Sequence, residues 1–249
     1  MLIDSHCHLH DREFFSEEQA EEMLKRAHEK GVQKIICVGT SHEDSLAAKD
    51  FALSHDGVYW TYGVHPENAG SSQNTSDFFK NDLPVAIGEV GLDYHYEGYN
   101  RKAQIKLFEE MLQLAKDNNL PLSFHVREAF DDFFAVVQNF PKVRGVVHSF
   151  TDNKKVLKRI LNETDFYVGV NGLATYSTLP TPPLERILLE TDAPFLTPKP
   201  FRGIINEPGY VFEIATWLSQ KLAVDFEIIE KETTENAERL FHLSNSIIR

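Results

Sequence analysis

Two histidines one residue apart, His6 and His8, lie near the start of the chain in Ile3-Asp4-Ser5-His6-Cys7-His8-Leu9. In an extended strand alternate side chains share a face, so both imidazoles point the same way. Imidazole is the commonest nitrogen ligand for a divalent ion, and a strand ending like this one begins a metal site. Four more residues of ligand type close later apolar runs: Glu89, His125, His148 and Asp192. Any one of them alone reads as a structural histidine or an ordinary acid. At equivalent ends of successive strands the set is hard to explain as packing, because buried imidazoles and carboxylates need partners. Cations would partner all six.

Six protein ligands exceed the three or four of a single catalytic zinc, so the set points to two divalent ions. Glu89 is flanked by Gly88 and Gly91, which let backbone crowd the site, and its two oxygens suit a bridge. We assign His6, His8, Glu89 and Asp192 to one ion, and Glu89, His125 and His148 to the other. A pair of ions supplies hydroxide near neutral pH and stabilises both the attacking and the leaving oxygen of a phosphoryl displacement. In that chemistry Asp192 both ligates and takes the proton of the water. Four histidines favour Zn, Mn or a similar ion.

The elements that must position these residues alternate along the chain. Strands are expected at residues 1–8, 32–38, 58–64, 85–90, 122–125, 145–148, 166–170 and 186–190. Helices are expected at 16–30, 42–55, 75–80, 100–118, 129–139, 153–161 and 208–222, with two short ones at 225–231 and 233–243. Ser16 is a plausible N-cap and Gly31 a stop for the first helix. Residues 172–184 carry no convincing helical pattern. Short apolar strands such as Lys34-Ile35-Ile36-Cys37-Val38 fit a sheet buried on both faces. Eight β-α units in 249 residues are the arithmetic of a (β/α)8 TIM barrel in one domain, 1–249. An open doubly wound sheet is the other arrangement. The barrel is favoured because it alone brings so many strand ends onto one pocket.

Composition narrows the class. No run of 18 apolar residues occurs, so no membrane span is expected, and no signal-peptide pattern precedes the first strand. Cys7 and Cys37 are the only cysteines and read as strand packing, which fits a reducing, cytoplasmic setting. The net charge of -13 argues against a protein that coats nucleic acid through a basic face. A polyanionic substrate would be held locally, by metal ions and a few arginines.

Several stretches together resemble the TatD-related deoxyribonucleases, within the wider amidohydrolase-like barrels. They are Asp4-Ser5-His6-Cys7-His8-Leu9, Gly63-Val64-His65-Pro66, Ile87-Gly88-Glu89-Val90-Gly91-Leu92-Asp93-Tyr94 and His125-Val126-Arg127-Glu128-Ala129. Further on come His148-Ser149-Phe150-Thr151, Leu189-Glu190-Thr191-Asp192-Ala193-Pro194-Phe195-Leu196, Arg202-Gly203 with Asn206-Glu207-Pro208, and Thr233-Thr234-Glu235-Asn236-Ala237. The resemblance implies a cytoplasmic, divalent-metal-dependent hydrolase of DNA phosphodiesters, acting on single strands or 3′ ends as a 3′-5′ exonuclease. It implies the same six ligands, and its nuclease chemistry points to Mg. The alternative on the same site is an esterase such as a D-aminoacyl-tRNA deacylase. A carbamylated lysine, the usual bridge of the superfamily's cyclic-amide and lactone hydrolases, is replaced by Glu89. Two departures stand out: His10, where the family has an acid, and a short 172–184 segment rich in Thr and Pro.

Secondary residues complete the expectation. His65, beside Pro66 at a strand end, would orient a phosphate or the leaving group. Arg127, two residues past His125, would bind phosphate bidentately, or else pair with Glu128 or Asp131. Arg202 lies in the loop after the last strand, where such barrels hold phosphate. Asn206 and Glu207 would cap the helix that follows. Asp93 would hold a ligand histidine or touch substrate. His28, His42, His55 and His242 read as surface residues, and Phe201 and Tyr94 as packing rather than base-stacking residues.

Overall fold

The computed structural model describes residues 1–70 and 83–243. The helix expected at 75–80 lies outside the described residues. Eight parallel strands run in sequence order: β1 (Leu2–Cys7), β2 (Val32–Cys37), β3 (Val58–Tyr62), β4 (Ala86–Asp93), β5 (Leu122–Arg127), β6 (Gly145–Val147), β7 (Tyr167–Val170) and β8 (Ile187–Leu189). The helices are α1 (Glu17–Glu29), α2 (His42–Ser54), α3 (Arg101–Asp117), α4 (Phe130–Val137), α5 (Lys154–Glu163), α6 (Val211–Leu222) and α7 (Phe226–Phe241). This is a (β/α)8 barrel, nearly closed.

The seam between β1 and β8 joins through side chains. Ser5 Oγ donates to the Leu189 carbonyl at 2.9 Å. The Asp4 carboxylate accepts from Thr191 N at 2.9 Å and Thr191 Oγ1 at 2.6 Å. Beyond the strands, Asp192 N donates to His6 O at 2.8 Å and His8 N to Ala193 O at 2.7 Å. The bonds that close the barrel thereby set Asp192 against both histidines of the first strand.

Local chemistry explains the helices. Ser16 and Gln19 form a reciprocal capping box, with Gln19 N to Ser16 Oγ at 3.2 Å and Ser16 N to Gln19 Oε1 at 2.9 Å. Helix α7 is one helix where the sequence suggests two. Its buried positions Ile229, Thr233, Asn236, Ala237 and Leu240 keep a three-to-four spacing across the expected break. Residues 172–184 carry only a 3-10 turn at Gly172–Thr175 and the start of another at Leu184–Arg186.

Helix α7 crosses the N-terminal end of the strands. Thr234 Oγ1 donates to Met1 O at 2.6 Å, Asn236 Nδ2 to Ile187 O at 3.0 Å, and Lys34 Nζ to Glu238 Oε1 at 2.6 Å. Its Ala237, Leu240 and Phe241 pack with Ile3, Ile36, Ala86, Val146 and Leu188 of the strands. That end is therefore filled, and the open end is the C-terminal one. Between strands and helices the core is rich in phenylalanine: Phe133 of α4 meets Phe124 at 5.2 Å, Phe108 at 5.7 Å and Phe166 at 6.2 Å. Among the described residues no helix is long and apolar enough to cross a membrane.

Candidate metal centre

The C-terminal mouth holds a cavity of about 780 Å³, lined among others by His8, His65, Glu89, Asp93, His125, Arg127, His148 and Asp192. His6 lies at its floor, fully buried. All six expected ligands converge on it.

Glu89 stands at the centre. Its Oε2 lies 3.5 Å from His6 Nε2 and 3.9 Å from His8 Nε2. Its Oε1 lies 2.7 Å from His125 Nδ1 and 2.8 Å from His148 Nε2. Asp192 Oδ1 completes the first set at 3.5 Å from both His6 Nε2 and His8 Nε2. The two oxygens of one carboxylate thus face different histidines, His6 and His8 on one side and His125 and His148 on the other.

Glu89 is not at a strand end, as the sequence suggests, but inside β4, which runs four residues further to Asp93. The β4–β5 register shifts between Ile87 and Val90, which turns Glu89 inward. Its amide donates to Gly39 O, just past the end of β2, at 2.7 Å. Gly91 has φ +147, and a side chain there would overlap the His125 carbonyl oxygen. Glycine at that position lets β4 lie close to β5 and brings Glu89 and His125 together.

The supporting hydrogen bonds orient the rings. His8 Nδ1 lies 2.9 Å from the Val38 carbonyl, which can only accept, so the proton sits on Nδ1 and Nε2 faces the cavity as a lone pair. His6 Nδ1 meets Ser123 Oγ at 3.3 Å. His125 Nε2 meets Asp93 Oδ2 at 2.9 Å, leaving Nδ1 toward Glu89. Asp93 is itself fixed by Gln104, whose Oε1 accepts from Asp93 N at 2.9 Å and whose Nε2 donates to Asp93 O at 2.8 Å. Of the two roles expected for Asp93, the structure shows it holding a ligand-type histidine.

Electrostatics follow from burial. Burial, reinforced by nearby His148, pulls His6 down to about 4, so it is a neutral donor at neutral pH. Burial opposes the charge of Glu89, yet His148, His125 and His6 hold its carboxyl well below the usual range. Burial likewise opposes charge on Asp192, and its contacts with His8 and His6 keep it ionised. His6 Nε2 is buried and has no hydrogen-bond partner among the described residues. A buried imidazole nitrogen aimed at two carboxylates without a bond to either is what a cation would satisfy. The donor set, nitrogen and carboxylate oxygen only, fits a divalent ion of the Zn or Mn kind. Three groupings bring ligand atoms within 4.8 Å of one another: His6, Glu89 and His148; His6, His8 and Asp192; His65, Asp93 and His125.

The remaining expected residues divide. His65 lines the cavity with Nε2 3.8 Å from Glu89 Oε1, and its Nδ1 accepts from Glu67 N at 3.3 Å. Burial lowers it to about 4. Arg127 also lines the cavity, with its guanidinium 5.4 Å from the Tyr96 ring. The acids expected as its alternative partners are engaged elsewhere: Glu128 with His95 at 2.6 Å and Asp131 with Arg159 at 3.0 Å. Arg202 does not line the metal cavity. It lines a neighbouring one of about 290 Å³ with Leu173, Tyr176, Thr197 and Gly203.

Other expectations are corrected. Asn206 and Glu207 do not cap α6: Asn206 Nδ2 binds Thr191 O at 2.8 Å and Phe195 O at 2.5 Å, and Glu207 pairs with Arg26 at 2.5 Å. His28 and His242 are exposed as expected, whereas His42 and His55 are half-buried. Phe201 stacks on Tyr210 at 4.3 Å and Tyr94 on Tyr99 at 4.5 Å, so both are packing residues. His10 is buried and paired with Asp44 at 2.9 Å. The sequence reading missed Glu190, whose Oε1 sits 3.9 Å behind His148 Nδ1. Its position beside Asp192, after an apolar run, was the available signal. It also missed Ser123 and the exposed aromatics Phe14, Phe195 and Tyr96 at the cavity rim, which no periodicity marks.

Comparison with known proteins decides the family: the family model described as TatD related DNase matches residues 3–242. The chain belongs to the TatD family. It is 33% identical over 258 residues to the uncharacterized metal-dependent hydrolase YabD of Bacillus subtilis, covering 98% of this chain and 100% of that one. It is 32% identical over 263 residues to a protein of Pantoea ananatis named 3′-5′ ssDNA/RNA exonuclease TatD, covering 97% and 100%. The crystal structure of the TatD homolog YJJV from Escherichia coli K12 matches with a TM-score of 0.86 at 27% identity, covering 98% of each chain. This TatD-family chain is accordingly a metal-dependent hydrolase.

Proposed function

We propose that the protein hydrolyses phosphodiester bonds of single-stranded DNA from the 3′ end, using two divalent ions. The observation that carries this reading is the division of Glu89, with Oε2 toward His6 and His8 and Oε1 toward His125 and His148. His6, His8, Asp192 and Glu89 would hold one ion, and Glu89, His125 and His148 the other. When bound, such ions supply Lewis acidity toward phosphoryl oxygens and lower the pKa of water toward neutrality. Mg, Mn and Zn are the candidates. The relative named for single-stranded DNA and RNA exonuclease activity supports the substrate class.

The chain's own residues supply the rest. Asp192, kept ionised by His8 and His6, accepts a proton from the attacking water. His65 accepts at Nδ1 from Glu67 N, so its proton is on Nε2, aimed into the cavity. There it donates a hydrogen bond to the leaving oxygen or to a non-bridging one. Its low basicity keeps it neutral, a donor in the form in which it stands. Arg127, whose alternative partners Glu128 and Asp131 are paired elsewhere, binds phosphate at the mouth. Asp93 holds the His125 ring in place through Nε2.

The test uses metal-depleted protein reloaded separately with Mg, Mn and Zn. Cleavage is followed on 5′-labelled single-stranded DNA, duplex DNA, single-stranded RNA and a D-aminoacyl-tRNA. The expected result is stepwise shortening of single-stranded DNA from its 3′ end, dependent on added metal. Turnover of the aminoacyl ester with intact oligonucleotides would overturn the nuclease reading.

A further inference from the structure

The cavity that holds Arg202 shares a wall with the metal cavity: Leu173 lines both. The loop after β8 runs along both as well, with Phe195 and Leu196 in the first and Thr197 in the second. The two loops that form this wall are locked together. A side chain at Gly172 would overlap the Leu196 carbonyl oxygen, and Lys199 N donates to Thr175 Oγ1 at 3.1 Å. The two cavities therefore lie side by side along one wall, whose two loops are held to each other by these contacts.

At the second cavity one ring meets two cations. Lys199 Nζ lies 5.1 Å, and Arg202 Cζ 5.6 Å, from the centre of the Tyr176 ring. The ring is half-buried, held by Tyr176 N donating to Leu173 O at 3.0 Å, and both cations are exposed. Among the described residues neither cation is in an ion pair, in a chain whose 38 acids outnumber 25 basic residues. Arg26, Arg101 and Arg159 are, by contrast, paired with acids. A ring with unpaired cations over it offers the parts that non-sequence-specific single-strand binding uses: an aromatic face on which a base can stack as the cations turn to the phosphates.

We propose that Tyr176, Lys199 and Arg202 form a second nucleotide subsite, which holds the body of a single strand one step away from the metal centre. The inference rests on the phosphodiesterase reading above and deepens it, because it makes strand length a determinant of the reaction. Neither a duplex base, which is already stacked, nor a small diester can use such a subsite.

The experiment compares wild type, Tyr176→Ala, Tyr176→Trp and the double variant Lys199→Ala/Arg202→Ala, all metal-loaded. Each is assayed on bis(4-nitrophenyl) phosphate, a dinucleotide and a single-stranded octanucleotide. Loss of one stacked base should lower kcat/KM on the octanucleotide, relative to the small diester in the same protein, about tenfold, through KM. Tyr176→Trp should restore the ratio. The double variant should flatten the dependence of log KM on log salt by about 1.4, the value for two phosphate contacts on a single strand. A ratio and salt slope equal to wild type would overturn the subsite while leaving the nuclease reading intact. A wild type that turns over the small diester but neither binds nor cleaves either oligonucleotide would overturn both.

Discussion

Asp93→Asn isolates the residue that positions one ligand without touching the cavity centre. Asp93 is 3% exposed, and its oxygens serve two donors: Oδ2 takes His125 Nε2 at 2.9 Å and Oδ1 takes His95 N at 2.9 Å. An asparagine has one acceptor oxygen, so one of those N–H groups would face an NH2. Gln104 clamps the Asp93 backbone from both sides, so the main chain cannot turn to relieve the conflict. A hydrogen bond to a charged group contributes about 1.5–3 kcal/mol. At about 1.4 kcal/mol per decade that is roughly a 10- to 100-fold loss, in line with losses when an outer partner of a ligand histidine is removed. The loss should fall on the ion held by His125 and His148 and spare the one held by His6, His8 and Asp192. Calorimetric titration of metal-free protein with Zn or Mn resolves the two sites. Two binding constants within twofold of wild type, in a folded variant, would refute the argument that Asp93 acts through His125.

Three further outcomes are expected. Glu89→Gln keeps size but removes the charge between the two donor sets; it should fold, lose most affinity for one ion and reduce phosphodiester cleavage by orders of magnitude, whereas near-wild-type cleavage at unchanged metal content would exclude the bridge. Metal removal should lower thermal stability: an ion at about 100 times its Kd contributes about 2.7 kcal/mol, or roughly 5–10 °C for a chain of this size, and a Tm unmoved by reloading would argue against binding at His6 and its neighbours. Phe133→Ala, at a fully buried ring among Phe108, Phe124 and Phe166, should cost about 3–5 kcal/mol in urea unfolding, and a loss under 1 kcal/mol would show that the cluster collapses to fill the space.

The sequence by itself determined the alternation of strands and helices, since apolar runs and capping residues such as Ser16 act locally. It also determined which residue types could hold a metal, because a histidine pair at spacing two has one geometric meaning in a strand. The tertiary structure decided what depends on distant backbone. Glu89 enters the cavity from mid-strand because β4 shifts register against β5 where Gly91 meets His125, a property of two strands and not of one. Asp192 reaches His6 and His8 through bonds across the β1–β8 seam, between residues more than 180 positions apart. Helix α7 is continuous because it has strand ends to cover along its whole length, a surface that no local pattern contains. Arg202 was legible as a loop cation, but only the meeting of the loops after β7 and β8 shows it beside Tyr176 and outside the metal cavity. Periodicity reports which face of an element is apolar, and a site built where several loops meet has no period to report.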